Sequence, residues 1–360
     1  MLVVVGAVLI LISGGTLAAG AVLLDRYTGS IEQTSLLGAG GRQGGGKAAL
    51  KGPINVLLMG IDTRGDPSQA IRADSIIILH IPATHDRAFI ISVPRDSDVA
   101  IPAYPKTGYK GGRGKINSAY AFGSNGSGGR AGGFELLALT IKNLTGITFD
   151  AGAIVDFEGF KAIVEALGGV DMCIDERVTS IHVGFDSTGK QRVPYKGQPP
   201  NLRAVPGVRA VVYEKGCRHL EPWQALDFVR QRDLLEKGDG DYGRQRHQQQ
   251  FLKAVAKSAA GKGVITNPAK LDSVLKAAGK ALTVDTGGVP LTDWLLTFGG
   301  ISGDGITMVK TNAGKYQSFK VDGESRERLT PESLELLSAV HSDTVDTFIG
   351  KYPDWVSSDS

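Results

Sequence analysis

Three short runs, Ile54–Ile61, residues 75–81 and Ala88–Val93, are almost wholly apolar, rich in β-branched residues and closed by Gly, Pro or polar positions. That pattern predicts strands buried on both faces. Residues 134–144 and 157–167 have the length and apolar spacing of helices, with Gly146 and Gly168 as stops. Two further strands are expected at 153–157 and 169–174, and two further helices at 221–230, with Pro222 in its first turn, and at 242–257. Strand and helix patterns thus alternate. The fold class this implies is α/β, a central mixed sheet flanked by helices. Near the end, Thr330-Pro331-Glu332 supplies a cap, a first-turn proline and an acid before an apolar run at 334–340, so one more helix is expected.

The polar intervals set the boundaries. Residues 2–24 contain no charge, which meets the roughly 20 residues a helix needs to cross a bilayer. A transmembrane anchor over residues 1–25 is the default reading. A cleaved signal peptide is the alternative, because Ala19-Gly20-Ala21 resembles a cleavage site, but the apolar run is longer than an ordinary signal core. No Lys or Arg precedes the run and Arg26 follows it, so the local charge count alone opposes an outside domain unless a basic N-terminal extension precedes it. A glycine-rich tether is expected over residues 26–53, since glycines raise the entropic cost of ordering and bury nothing. The main domain is then residues 54–350, followed by a polar tail at 351–360. Residues 108–133 are again glycine-rich and are expected as a long loop. Residues 180–215 are polar with prolines and are expected as an excursion from the domain.

Composition narrows the function classes. With 42% hydrophobic and 21% charged residues, the part after the apolar segment is expected to be a water-soluble domain. The net charge of +3 is too small to imply nucleic acid as partner. Two cysteines, Cys173 and Cys217, exclude a disulfide scaffold. They form either one bridge, if the domain lies outside the membrane, or two buried thiols.

The candidate chemistry lies at element ends. Asp62 follows the first strand, Asp74 precedes the second and Arg95 follows the third, places from which side chains can face a crevice at the sheet edge. Arg64 and Arg72 are close in sequence. Arg230 and Arg232 flank one residue, so they share a face only if the chain leaves the helix there. Arg244 and Gln248 are four apart near the start of a helix, where both can reach one anion; Arg246 and Lys253 read as a solvated face. Guanidinium forks match phosphate oxygens, and neighbouring carboxylates suit a hard cation such as Mg²⁺. The combination reads as a pyrophosphate site. The plainer alternative is that Asp62 caps a turn and Asp74 pairs with Arg72.

These segments, together with Lys115-Ile116-Asn117-Ser118-Ala119-Tyr120 and Leu167-Gly168-Gly169-Val170, resemble the LytR-CpsA-Psr family of extracytoplasmic phosphotransferases over about residues 54–252. The resemblance implies a single-pass protein of the bacterial cell membrane with its catalytic domain outside. It implies transfer of a glycopolymer from a polyprenyl-pyrophosphate carrier to peptidoglycan, with Mg²⁺ on the pyrophosphate. Carried over residue by residue, it implies Asp62 and Asp74 as metal ligands, with Asp74 also assisting the attacking hydroxyl beside Arg95. Arg72, Arg95, Arg230, Arg232, Arg244 and Gln248 would bind phosphate, and Asp241 would orient arginines. His247 and Ser118 depart from the family pattern, which carries Arg and His at those places. The Cys173 and Cys217 pair resembles actinobacterial members, in line with a disulfide. The apolar residues of 134–144 and 157–167 are the candidates to line a pocket for the carrier lipid.

Overall fold

The computed structural model describes residues 32–42, 50–62, 71–261, 276, 282–290, 293–294, 301 and 303–357. The expected membrane span and Arg64 lie outside these residues. Among the described residues, no helix is long and apolar enough to cross a membrane.

The first strands in chain order are β1 (Glu32–Gln33), β2 (Ile54–Ile61), β3 (Ala73–Ile81), β4 (Ala88–Val93), β5 (Asp98–Ile101) and β6 (Gly112–Lys115). Next come β7 (Ala151–Val155), β8 (Val170–Ile174), β9 (Val178–Asp186), β10 (Val208–Tyr213) and β11 (Gly216–Leu220). The last are β12 (Leu282–Asp285), β13 (Ile306–Lys310), β14 (Ser318–Val321) and β15 (Glu324–Glu327). The helices are α1 (Ser118–Ser124), α2 (Gly129–Thr145), α3 (Phe157–Ala166), α4 (Pro222–Phe228), α5 (Gly240–Gly261), α6 (Pro331–His341) and α7 (Val345–Lys351).

Among the described residues, seven strands form one mixed sheet in the order β1-β12-β7-β2-β3-β4-β13. Every residue of β2 is buried because both faces of the sheet are covered. Successive side chains point to opposite faces. Ile54, Val56 and Leu58 join one core with Phe160 of α3 and Phe251 of α5. Leu57, Met59 and Ile61 join a second with Phe134 and Leu136 of α2 and Leu337 of α6. This is the three-layer α/β architecture expected, and each fully buried Leu or Ile contributes about 1.5–3 kcal/mol.

β2 runs parallel to β7, and β3 runs antiparallel to both β2 and β4. The carboxyl ends of β2, β4 and β7 and the start of β3 therefore meet at one edge, the edge that carries Asp62, Asp74 and Arg95.

Several boundaries differ from expectation. Residues 32–42 are part of the domain rather than a tether: Leu36 and Leu37 are buried, and both backbone N–H groups donate to Asp285 Oδ2, at 2.7 and 2.9 Å. The glycine-rich stretch 108–133 is not a loop. It forms β6, α1 and the start of α2, and its glycines let the two helices touch: a Cβ on Gly123 would lie 2.3 Å from the Gly132 carbonyl oxygen. β8 leaves the main sheet and pairs with β11, where Cys173 and Cys217 oppose each other and are bridged. The expected tail is packed as far as Ser357. Trp355 is buried, Val356 bridges to Val309 of β13, and the Ser357 N–H donates to Met308 O at 2.8 Å. The helix caps follow the sequence, with a Glu221–Gln224 capping box before Pro222 and Thr330 accepting from the Ser333 N–H at 3.2 Å.

Candidate active site

A cavity of about 360 Å³ opens at that carboxyl edge. Gly60, Ile61 and Asp62 reach it from the end of β2, Asp74 and Ser75 from the start of β3, and Arg95 from the turn after β4. Pro94 ends the strand, and the Arg95 carbonyl is fixed by the Asn117 N–H at 3.1 Å. Nearby, Lys115 Nζ holds Asp96 Oδ1 at 3.0 Å. The Lys115–Asn117 motif thus clamps the turn that presents Arg95.

Helix α4 stops at Phe228, and the Gln231 side chain turns inward to Asp227 Oδ1 (2.8 Å) and Ser180 Oγ (3.1 Å). Arg230 and Arg232, on either side of this buried anchor, both line the cavity. The Arg230 guanidinium lies 4.6 Å over the Phe157 ring. From α5, Arg244 and Gln248 enter on one face. Arg244 Nη2 donates to Asp74 O at 3.0 Å and pairs with Asp241 Oδ1 at 2.6 Å. Gln248 Oε1 accepts from Ser75 Oγ at 3.0 Å, and its Nε2 donates to Val229 O at 3.3 Å.

Arg95 Nη1 donates to Asp74 Oδ1, and its Nε lies 3.7 Å from Asp241 Oδ1. Burial works against the Arg95 charge, but Asp241, Asp74 and Asp96 outweigh it and hold its pKa above the ordinary guanidinium value. Burial dominates at Arg244 and lowers its pKa despite Asp241, though a guanidinium stays charged. Burial would raise Asp241, but Arg244 and Arg95 hold its carboxylate below the usual range. The Nε donors of Arg95 and Arg244 are buried without a hydrogen-bond partner. The Arg95 Nε is compensated by charge rather than by a hydrogen bond, with Asp241 Oδ1 at 3.7 Å and Asp96 Oδ2 at 3.8 Å.

The structure gathers Asp62, Asp74, Arg95, Arg230, Arg232, Arg244 and Gln248 around one cavity. Asp241 stands behind it, braced against two of the arginines. Arg72 is not brought in; it is exposed and lies outside the lining. Residues 134–144 do not line the cavity either, because Phe134, Leu136 and Leu137 are consumed by the core under the opposite face of the sheet. The apolar wall comes instead from Val155 and Phe157 and from the excursion 180–215, where β9 supplies Ile181 and the chain between β9 and β10 supplies Val193, Tyr195 and Leu202. The sequence carried only the alternation of these strands, without their direction of packing.

Asp62 and Asp74 both line this cavity, and two carboxylates in the company of phosphate oxygens are a donor set that fits Mg²⁺. Another cluster, Asp175, Glu176 and His247, brings its ligand atoms within 4.8 Å of one another. It is already neutralised: Arg246 Nε donates to Asp175 Oδ2 at 2.8 Å, Arg246 also pairs with Glu176 and Asp239, and Lys237 pairs with Asp175. Arg246 is therefore buried against carboxylates rather than solvated, and Lys253 is buried as well. His247 packs on Phe228 with ring centroids 4.6 Å apart, away from the cavity.

Convergent arginines, two carboxylates and an apolar wall at the carboxyl edge of a three-layer α/β domain are an arrangement chemically suited to a phosphate ester. The chain belongs to the LytR_cpsA_psr family, whose model matches residues 31–334. It is 29% identical over 228 residues to the polyisoprenyl-teichoic acid–peptidoglycan teichoic acid transferase TagV of Bacillus subtilis, covering 63% of this chain and 48% of TagV. It is 30% identical over 222 residues to the polyisoprenyl-teichoic acid–peptidoglycan teichoic acid transferase TagU of Bacillus anthracis, covering 62% of this chain and 58% of TagU. The matched region spans about half the length of these relatives. The crystal structure of B. subtilis TagV superposes with a TM-score of 0.55 at 22% identity, over 82% of this chain and 98% of TagV. TagT with bound octaprenyl pyrophosphate superposes with a TM-score of 0.51 at 19% identity, over 82% of this chain and 91% of TagT.

Proposed function

We propose that this chain transfers a glycopolymer from a polyprenyl-pyrophosphate carrier to peptidoglycan in the bacterial cell wall, working outside the membrane to which residues 1–25 anchor it. The observation that carries the reading is the convergence of Arg95, Arg230, Arg232 and Arg244 with Asp62 and Asp74 on one cavity that also has an apolar wall. The names of TagV, TagU and the lipid-bound TagT support the same chemistry.

In the step proposed, an acceptor hydroxyl oxygen forms a bond to the sugar-linked phosphorus. The bond from that phosphorus to the bridging oxygen breaks, and polyprenyl phosphate leaves with the electron pair. Asp74 takes up the hydroxyl proton. Arg95, Arg230, Arg232 and Arg244 neutralise the phosphoryl oxygens, and most catalysis of phosphoryl transfer is such positioning and charge stabilisation. Asp241 keeps Arg95 and Arg244 in place, and Gln248 ties the start of β3 to the end of α4. Asp62 and Asp74 would hold Mg²⁺, which when bound supplies further charge neutralisation on the pyrophosphate. Phe157, Ile181 and Val193 receive the first prenyl units.

The test uses the full chain with a synthetic polyprenyl-pyrophosphate saccharide, with Mg²⁺ or EDTA and with or without peptidoglycan fragments. Polyprenyl phosphate should appear together with a phosphodiester-linked product. Arg95→Ala should cost about 10²–10³-fold in rate, the scale of removing one charge-stabilising donor. Release into water alone would make the protein a hydrolase. Binding with no turnover under any condition would make it a carrier-binding protein.

A further inference from the structure

A second cavity of about 240 Å³ adjoins the first, and Arg95, Arg232 and Asp233 line both. Its chemistry is different. Its other lining includes Tyr316, Ser318 and Ser325 of the β14–β15 hairpin that follows Tyr316, and Asp96 and Gln245. It lies below the usual size of a pocket for a drug-sized ligand and suits a fragment such as one sugar ring. Tyr316 is 49% exposed, an unusual exposure for a large ring, yet it is fixed in place. Its hydroxyl accepts from the Asp241 N–H at 2.6 Å, and its ring meets Tyr242 edge-on with centroids 5.1 Å apart. A fixed, half-exposed aromatic ring among carboxylates, hydroxyls and guanidinium groups is surface suited to a polyol, which offers apolar C–H faces and a rim of hydroxyls.

We propose that this second cavity is the subsite for the acceptor sugar of the wall glycan. The inference rests on the transfer reading above and names the place from which the second substrate attacks. The prenyl chain belongs against the apolar wall of the first cavity, formed by Phe157, Ile181 and Val193. Arg95 and Arg232, common to both chambers, then hold the pyrophosphate at the junction. Attacking and leaving oxygens lie roughly in line across the phosphorus, so with the lipid phosphate leaving toward the apolar wall the hydroxyl must come from the opposite side. The second cavity shares Arg95 and Arg232 with the first and none of its apolar residues, so it is the chamber from which that approach is open.

Two variants of the full chain test this. Tyr316→Ala removes the ring, with Tyr316→Phe as the control that keeps it. Ser325→Trp fills the cavity from an exposed strand position without touching the core. Steady-state transfer is measured with a polyprenyl-pyrophosphate disaccharide as donor and a soluble muropeptide as acceptor. Binding of the muropeptide alone is followed by titration calorimetry. Both Tyr316→Ala and Ser325→Trp should raise the acceptor KM about tenfold or more, the loss expected for a central aromatic contact, while the donor KM moves less than twofold. Tyr316→Phe should recover most of the loss. A rise in the donor KM instead would assign the cavity to the donor's saccharide and overturn the proposal, as would unchanged constants for both. If wild type shows no turnover, the transfer reading fails; the calorimetric arm then decides the subsite separately, because muropeptide binding lost in Ser325→Trp supports it and binding unaffected by that change refutes it.

Discussion

Asp241 lies between two buried guanidiniums, 2.6 Å from Arg244 Nη2 and 3.7 Å from Arg95 Nε. Removing one partner from a buried charge cluster costs more than the cluster contributes, because the remaining charges stay desolvated. Asp241→Asn should therefore lower stability by up to about 3–5 kcal/mol in urea unfolding, and inorganic pyrophosphate should restore part of it by supplying the missing negative charge. At the other end of β3, His80 is buried between Asn55 Oδ1 (2.8 Å) and Asp343 Oδ1 (3.1 Å). Burial lowers its pKa, outweighing the opposing pull of Asp343. The unfolded chain then takes up the proton first, so stability is complete above the unfolded value of about 6.5 and is lost as pH falls through it. The melting temperature of wild type should drop more between pH 7.5 and pH 5.5 than that of His80→Gln, and equal drops would exclude this role. Residue identities at the site were legible where strand ends and helix spacing force a direction, as for Arg95 and for the Arg244–Gln248 pair. That Arg72 stands exposed outside the cavity lining was not legible, because pattern does not say which way a chain turns just before a strand begins.

β9 and the chain between it and β10 supply much of the cavity's apolar wall, and the Cys173–Cys217 bridge closes the loop of chain that contains them, 44 residues in sequence separation. Cross-linking a loop of that length stabilises by about 4 kcal/mol in the chain-entropy account, an upper figure for real proteins. The paired change Cys173→Ser with Cys217→Ser should lower stability by up to that amount and raise the donor KM, since the wall loses its tether. A change in acceptor KM alone would contradict the assignment of this wall to the lipid. Elements whose faces are both covered, such as β2 and β4, were readable from apolar runs. The α1–α2 pair was not, because its signal is the absence of side chains. Gly123 and Gly132 allow a backbone contact, whereas the same glycines read in sequence suggest a loop.

For the whole molecule, alternating strand and helix patterns were enough to set the three-layer class, because a sheet with two apolar faces requires a helical layer on each. The edges were less legible. β1 contributes two residues paired to β12, and the chain behind it is held by Asp285, some 250 positions away, a contact no local pattern announces. At the opposite edge, β13 is met by Val356 and by the Ser357 N–H donating to Met308 O. An uncovered strand edge is a template for another chain's backbone, and proteins that expose one tend to self-associate. Deleting residues 352–360 should therefore produce concentration-dependent oligomers in light scattering, while a monomer at every concentration would show that the edge is protected by other means. Residues 352–357, with Trp355 buried and Val356 set against Val309, thus act as a stopper on a strand edge that would otherwise stand open to a neighbour's backbone.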